Sequence, residues 1–132
     1  MRFFDTHAHL NDESFDTDRA ALIEGLPSCG AELIMDVACA AEDFEKTLEI
    51  TAEYPFIYGA YGIHPHYASD PGENWEARLR RALCDKKAAC LGEIGLDYHY
   101  DLSEKEDQKK LFDYQLKPVS YTHLTLPTTS RV

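Results

Sequence analysis

The chain has 132 residues, 24 Asp and Glu against 13 Lys and Arg, a formal net charge of −11 and 44% hydrophobic residues. That is enough for one ordinary domain with its own core. The acidic balance excludes a basic nucleic-acid clamp that works by side-chain charge alone; a nucleic-acid enzyme whose positive charge comes from bound divalent ions stays open.

The predicted elements alternate. "RFFDT" over Arg2–Thr6 reads as a short buried strand. A helix is predicted over Asp16–Leu26, with Phe15, Leu22, Ile23 and Leu26 at helical spacing, Asp16 as N-cap, and Gly25 with Pro27 at its end. "AELIMDVA", Ala31–Ala38, is a second strand, and Ala41–Glu53 a second helix with Phe44, Leu48 and Ala52 on one face. "FIYGAY", Phe56–Tyr61, is a third strand, followed by the loop "GIHPHYASDPGEN". A third helix is expected over Trp75–Cys84 and a fourth strand, "AACLGEI", over Ala88–Ile94. Ser103 and Glu106 have the S-x-x-E spacing of a capping box. The helix they open carries Leu111, Phe112, Gln115 and Leu116, and Pro118 is expected to end it.

The order βαβαβαβα implies right-handed crossovers and a parallel sheet, hence an α/β fold. Both a doubly wound sheet and a (β/α) barrel satisfy it. No G-x-G-x-x-G or G-x-x-x-x-G-K-[ST] follows any strand, which disfavours a nucleotide-binding open sheet. From Pro118 the composition changes: "PVSYTHLTLPTTSRV" holds six Ser or Thr and no acid. The domain is therefore expected to cover residues 1–117, with 118–132 a tail outside it.

No apolar run approaches about 18 residues, so no membrane span is expected. The N-terminus lacks the basic and apolar segments of a signal peptide. Cys29, Cys39, Cys84 and Cys90 show no C-x-x-C spacing and read as buried free thiols, which points to a reducing, cytoplasmic setting.

Three stretches carry chemistry. Residues i and i+2 of a strand face the same way, so His7 and His9 can aim two imidazoles at one point. Imidazole is the commonest protein metal ligand. "GIHPH" adds His64 and His66 after the third strand, and "GEIGLDYH" adds Glu93 and Asp97 at the fourth. In parallel α/β folds these strand ends open on one face, where active sites lie. A glutamate at a buried strand end is costly unless it is paired or binds a metal. Plain alternatives remain at each position: His64 and His66 as loop histidines beside Pro65, Glu93 as an exposed acid, Asp97 as a turn cap and His99 as a solvated histidine. Taken together, His7, His9 and Glu93 form a two-histidine-plus-carboxylate set suited to a divalent metal.

"FDTHAHL", "YGIHPH" and "GEIGLDYHYD", in this order and spacing, resemble the TatD family of metal-dependent deoxyribonucleases over residues 1 to 117. "GEIGLDY" is the specific element, while "HAHL" is shared with the wider amidohydrolase-like superfamily. The resemblance implies a (β/α)₈ TIM-type barrel, of which this chain would hold the N-terminal half, about four βα units. It implies two divalent ions, Mg²⁺ or Mn²⁺ with Zn²⁺ as the alternative, and hydrolysis of DNA phosphodiester bonds, often as a 3′-to-5′ exonuclease. Carried over by position, His7 and His9 ligate one metal, Glu93 bridges both as the catalytic carboxylate, and His64 and His66 line the substrate pocket. In the family two further histidines and an aspartate come from later strands, so the second metal site is expected to be incomplete and the chain alone inactive. His123 mimics one of those later ligands only superficially. The tail resembles translated sequencing-adapter DNA. A related hydrolase acting on another ester or amide, or a non-catalytic metal-binding half-domain, is the alternative function. A full-length form is expected to be a monomer; a half-barrel with two open edges is expected to self-associate.

Overall fold

The computed structural model describes residues 1–119, the last two by backbone alone. Of the predicted tail, residues 120–132, His123 among them, lie outside the described residues. Four parallel strands, β1 (Phe3–Ala8), β2 (Ala31–Ala38), β3 (Ile57–Tyr61) and β4 (Ala88–Leu91), stand in the sheet in sequence order. Between and after them run α1 (Arg19–Gly25), α2 (Phe44–Glu53), α3 (Trp75–Leu83) and α4 (Lys105–Val119). Sequential order with every strand parallel is the topology of a barrel wall, not of a doubly wound sheet, whose order reverses at its middle.

Strand alternation decides the two faces. On β2, Ile34, Asp36 and Ala38 are fully buried beneath the helices, whereas Leu33 on the other face is 38% exposed. Ile34 packs with Ile23 of α1, Ile50 of α2 and Ile57 of β3. Ala38 joins Phe44, Tyr61, Leu79 and Leu91, with the Phe44 and Tyr61 rings edge to face at 5.8 Å. Burying Ile23, Phe44 or Leu79 contributes about 1.5–3 kcal/mol each, so the helical side holds the molecule together. On the opposite face Val37, Ala60, Cys90 and Met35 form a smaller cluster. That face opens into a cavity of about 720 Å³ lined by Phe4, Leu33, Met35 and Tyr58. β1 and β4 have no strand partner on their outer sides among the described residues.

Several boundaries differ from the sequence expectation. β1 reaches Ala8, two residues further than predicted, because it stays paired with β2 up to Ala8 opposite Asp36. α1 begins at Arg19, not Asp16. Residues Glu13–Phe15 form a separate turn capped by the Asp12 side chain, and Asp16 pairs with Arg19 at 2.7 Å instead of capping. β4 stops at Leu91, leaving Glu93 just past the strand. The expected capping box is absent: Ser103 Oγ donates to His66 O at 2.7 Å, and Glu104 N–H at the helix start is taken by Ser69 Oγ at 3.0 Å. Pro118 does not end α4, which runs to Val119; a proline's φ suits a helix, and so near the end it removes only one hydrogen bond. The four cysteines are free, but Cys29 and Cys84 are exposed and only Cys90 is buried. Among the described residues no helix is long and apolar enough to cross a membrane.

Candidate metal centre

The predicted donors meet at the C-terminal ends of the strands. His7 lies within β1 and His9 one residue past it; their Nε2 atoms are 3.2 Å apart. Glu93 arrives from the far side of the sheet, its position set by Gly92 N–H donating to Tyr61 O at 3.0 Å. Glu93 Oε2 is 3.4 Å from His7 Nε2. One nitrogen from each histidine and one Glu93 oxygen all lie within 4.8 Å of one another.

Hydrogen bonds assign the protons. His9 Nδ1 lies 2.8 Å from Val37 O. A carbonyl can only accept, so Nδ1 carries the proton and, in the neutral ring, Nε2 presents a bare lone pair. That is the arrangement a metal-binding histidine needs, with the second nitrogen tied to the protein. His64 is wired the other way. Its Nδ1 accepts the backbone N–H of His66 at 3.2 Å, so the neutral ring keeps its proton on Nε2, which faces Glu93 Oε1 at 3.8 Å. His64 is thus a hydrogen-bond donor at this point, and burial holds its pKa below the ordinary histidine value against the pull of Glu93. Glu93 turns one oxygen to the His7–His9 pair and the other to His64.

The loops after β2, β3 and β4 bring in further groups. Asp97 caps its turn, its Oδ1 accepting from His99 N–H at 2.9 Å and Tyr100 N–H at 3.2 Å. Its other oxygen meets His66 Nε2 at 2.5 Å. These contacts, the His99 bond first, lower its pKa. His66 therefore points to Asp97 rather than to Glu93, and stacks edge to face on His64 at 4.2 Å. His99 is exposed, as expected. Cys39, not singled out in the sequence, places Sγ 3.6 Å from Glu93 Oε2; burial, with Glu93 next, pushes its thiol pKa up to about 12.

Close approach makes this possible. A Cβ on Gly62 would stand 2.8 Å from Glu93 O and 2.9 Å from Gly92 C. Only glycine lets the loop after β3 lie against the loop after β4. His64 N–H then reaches Cys39 O at 2.7 Å, which ties the loops after β2 and β3 together. Two imidazole nitrogens and a carboxylate oxygen, with one imidazole already oriented by a carbonyl, suit a divalent ion by donor type and spacing.

Comparison with known proteins gives the family and the fold. The family model described as TatD related DNase matches residues 4–126. The uncharacterized metal-dependent hydrolase YabD of Bacillus subtilis is 41% identical over 113 residues, 86% of this chain and 44% of that protein. The 3′-5′ ssDNA/RNA exonuclease TatD of Cronobacter sakazakii is 28% identical over 114 residues, 86% of this chain and 43% of its own length. Among solved structures, the TatD homolog YjjV from Escherichia coli superposes with a TM-score of 0.83 at 33% identity, over 93% of this chain and 48% of that one. A TatD family hydrolase from Entamoeba histolytica shares the fold at a TM-score of 0.84 and 22% identity. The chain spans about half the length of the curated relatives it matches, and its four βα units correspond to half of a (β/α) barrel. With the family model spanning most of its length and the donor cluster at its strand ends, this chain belongs to the TatD-related DNase family.

Proposed function

We propose that the protein of which these residues form the N-terminal half hydrolyses phosphodiester bonds in DNA with divalent metal ions. The observation that carries this reading is the convergence of His7 Nε2, His9 Nε2 and Glu93 Oε2, with His9 already in the tautomer that leaves Nε2 bare. The exonuclease name of the Cronobacter relative supports nucleic acid as the substrate. In this reading His7, His9 and one oxygen of Glu93 would hold an ion, and Glu93, whose other oxygen faces His64, would be the carboxylate available to a second. Bound ions would supply Lewis acidity toward a phosphoryl oxygen and make a nearby water more acidic.

The chain's own residues do the rest. His64 offers Nε2–H, a neutral donor placed to bind a non-bridging phosphoryl oxygen. Its lowered pKa keeps it from competing as a fixed cation with the ions. His66, held by Asp97, buttresses the His64 ring at the edge of the same pocket. The net charge of −11 gives the surface no attraction for DNA, so binding should depend on metal.

The test is Mn²⁺ binding and release of nucleotides from single-stranded DNA by the 132-residue chain and its Glu93→Ala variant. Mn²⁺ binding lost in the variant, with negligible turnover by either, is the expected result. Metal-dependent turnover lost in Glu93→Ala would place catalysis within this chain itself. No Mn²⁺ binding by the unaltered chain would remove the reading.

A further inference from the structure

Among the described residues Asp36 is the only fully buried carboxylate. It sits on the helical face of β2, outside the donor cluster, and no salt bridge is made to it among the described residues. Its partners are particular. Thr47 Oγ1 of α2 donates to Oδ2 at 2.8 Å. Asn11 donates twice to Oδ1, from its backbone N–H at 3.2 Å and from Nδ2 at 3.1 Å. Asn11 Nδ2 also lies 2.9 Å from Val37 O and 3.0 Å from Thr47 Oγ1. The single Thr47 proton is spent on Asp36, so all three groups around Asn11 Nδ2 are acceptors. The Asn11 amide can therefore sit only with its nitrogen inward. Val37 O is the same carbonyl that receives His9 Nδ1–H.

We infer that Asp36 and Asn11 are positioning residues for the metal centre: the buried carboxylate orients the Asn11 amide, and that amide pins the turn after β1 so that His9 keeps Nδ1 on Val37 O and Nε2 toward His7 and Glu93. A buried carboxylate is costly, and an apolar pair of the same volume would fill the β2–α2 seam at less cost. Apart from Thr47, the hydrogen bonds that the Asp36 carboxylate accepts come from the turn just beyond His9, from Asn11 and from the Leu10 backbone. The network thus ends on the turn that carries a metal donor, not elsewhere in the core. Arg19 steadies the same turn from outside, donating to Leu10 O at 2.6 Å and Asp12 O at 2.6 Å. The inference rests on the metal-centre reading above.

The experiment uses the full 132-residue chain, ¹⁵N-labelled at histidine, with two readouts. Long-range ¹H–¹⁵N spectra of the metal-free protein report the His9 tautomer, and calorimetric titration reports Zn²⁺ affinity. Asn11→Ala alters a half-buried side chain, Asp36→Asn the buried one, and Thr51→Val removes a buried hydroxyl of α2 outside the network. Asn11→Ala is expected to change His9 from one tautomer to a mixture and to weaken Zn²⁺ binding about 10–100-fold, while Thr51→Val leaves both as they were. Asp36→Asn should act like Asn11→Ala; if it does not fold, Asn11→Ala decides. Asn11→Ala binding Zn²⁺ like the unaltered chain, with His9 still protonated on Nδ1, overturns the inference alone. An unaltered chain that binds no Zn²⁺ overturns the metal-centre reading, and this inference with it.

Discussion

Gly62 shows how a single missing methyl group sets a distance in the site. A Cβ there would meet Ile94 Cγ2 at 2.7 Å and two backbone atoms, Glu93 O and Gly92 C, below 3.0 Å. Backbone cannot swing aside as a side chain end can, so Gly62→Ala is expected to cost about 1–3 kcal/mol in urea denaturation and to weaken Zn²⁺ binding by displacing Glu93. Asp97 carries a pH signature. Its pKa is lowered from 3.8, first by the His99 N–H and then by other contacts that include His66. The folded state therefore favours the charged form. That contribution is present above the ordinary value and is lost as pH falls through the folded pKa. Asp36 works in the opposite sense. Burial raises its pKa, so the cost of its charge is full above the folded value and relieved on acidification. Thermal melts between pH 2 and 7 should find Asp97→Asn destabilised near neutrality, with the gap to the unaltered chain closing as pH falls below about 4. A gap independent of pH would mean that the charge of Asp97 is not what stabilises the turn.

At the scale of an element, α4 is a clamp. Gln108 and Gln115 are seven residues apart and so share a face, and both are buried. Gln115 accepts from Ile63 N–H at 2.7 Å and donates to Ile63 O at 3.0 Å. Gln108 does the same for the backbone of Asp97, at 2.8 and 3.0 Å. One helix thereby holds the His64 loop and the Asp97 loop in register. Gln115→Leu leaves a buried N–H and C=O without partners and should cost about 1–3 kcal/mol. Hydrogen exchange at the Ile63 amide should quicken well beyond that at Ile57, which lies in the sheet. From the sequence Gln115 was simply one position on the packed face of a helix. Nothing local distinguishes a glutamine that faces solvent from one that replaces a missing backbone partner 52 residues away. The Ser103–Glu106 spacing misled for the same reason: Ser103 found His66 O, 37 residues off, instead of its own helix.

For the molecule as a whole, the open face dominates. Four parallel strands curve round a cavity of about 720 Å³, with β1 and β4 both lacking a neighbour on one side among the described residues. Phe3, Phe4 and Leu33 are each more than a third exposed. Unpaired edges and an uncovered apolar face favour association, while a charge of −11 on each copy opposes it. Sedimentation equilibrium of the 132-residue chain is expected to show a mass that rises with concentration, and more so at high salt, which screens the repulsion. Leu33→Lys on the inner face should reduce it. A chain that stays monomeric at every salt concentration, and unfolds in one sharp reversible transition, would contradict this.

The alternating βα order, the parallel sheet and the candidate donors His7, His9 and Glu93 were all determined by the sequence alone. Their signals are local: hydrophobic period, turn residues, and the two-residue repeat of a strand. The alternation of elements left barrel and doubly wound sheet open, and only the family motifs pointed to the barrel; the tautomers of His9 and His64, the turning of His66 toward Asp97 and the Asp36–Asn11 network were decided only by tertiary structure. Each depends on which distant carbonyl, carboxylate or amide arrives within about 3 Å, and that is set by how helices and strands pack, which no short stretch of residues encodes.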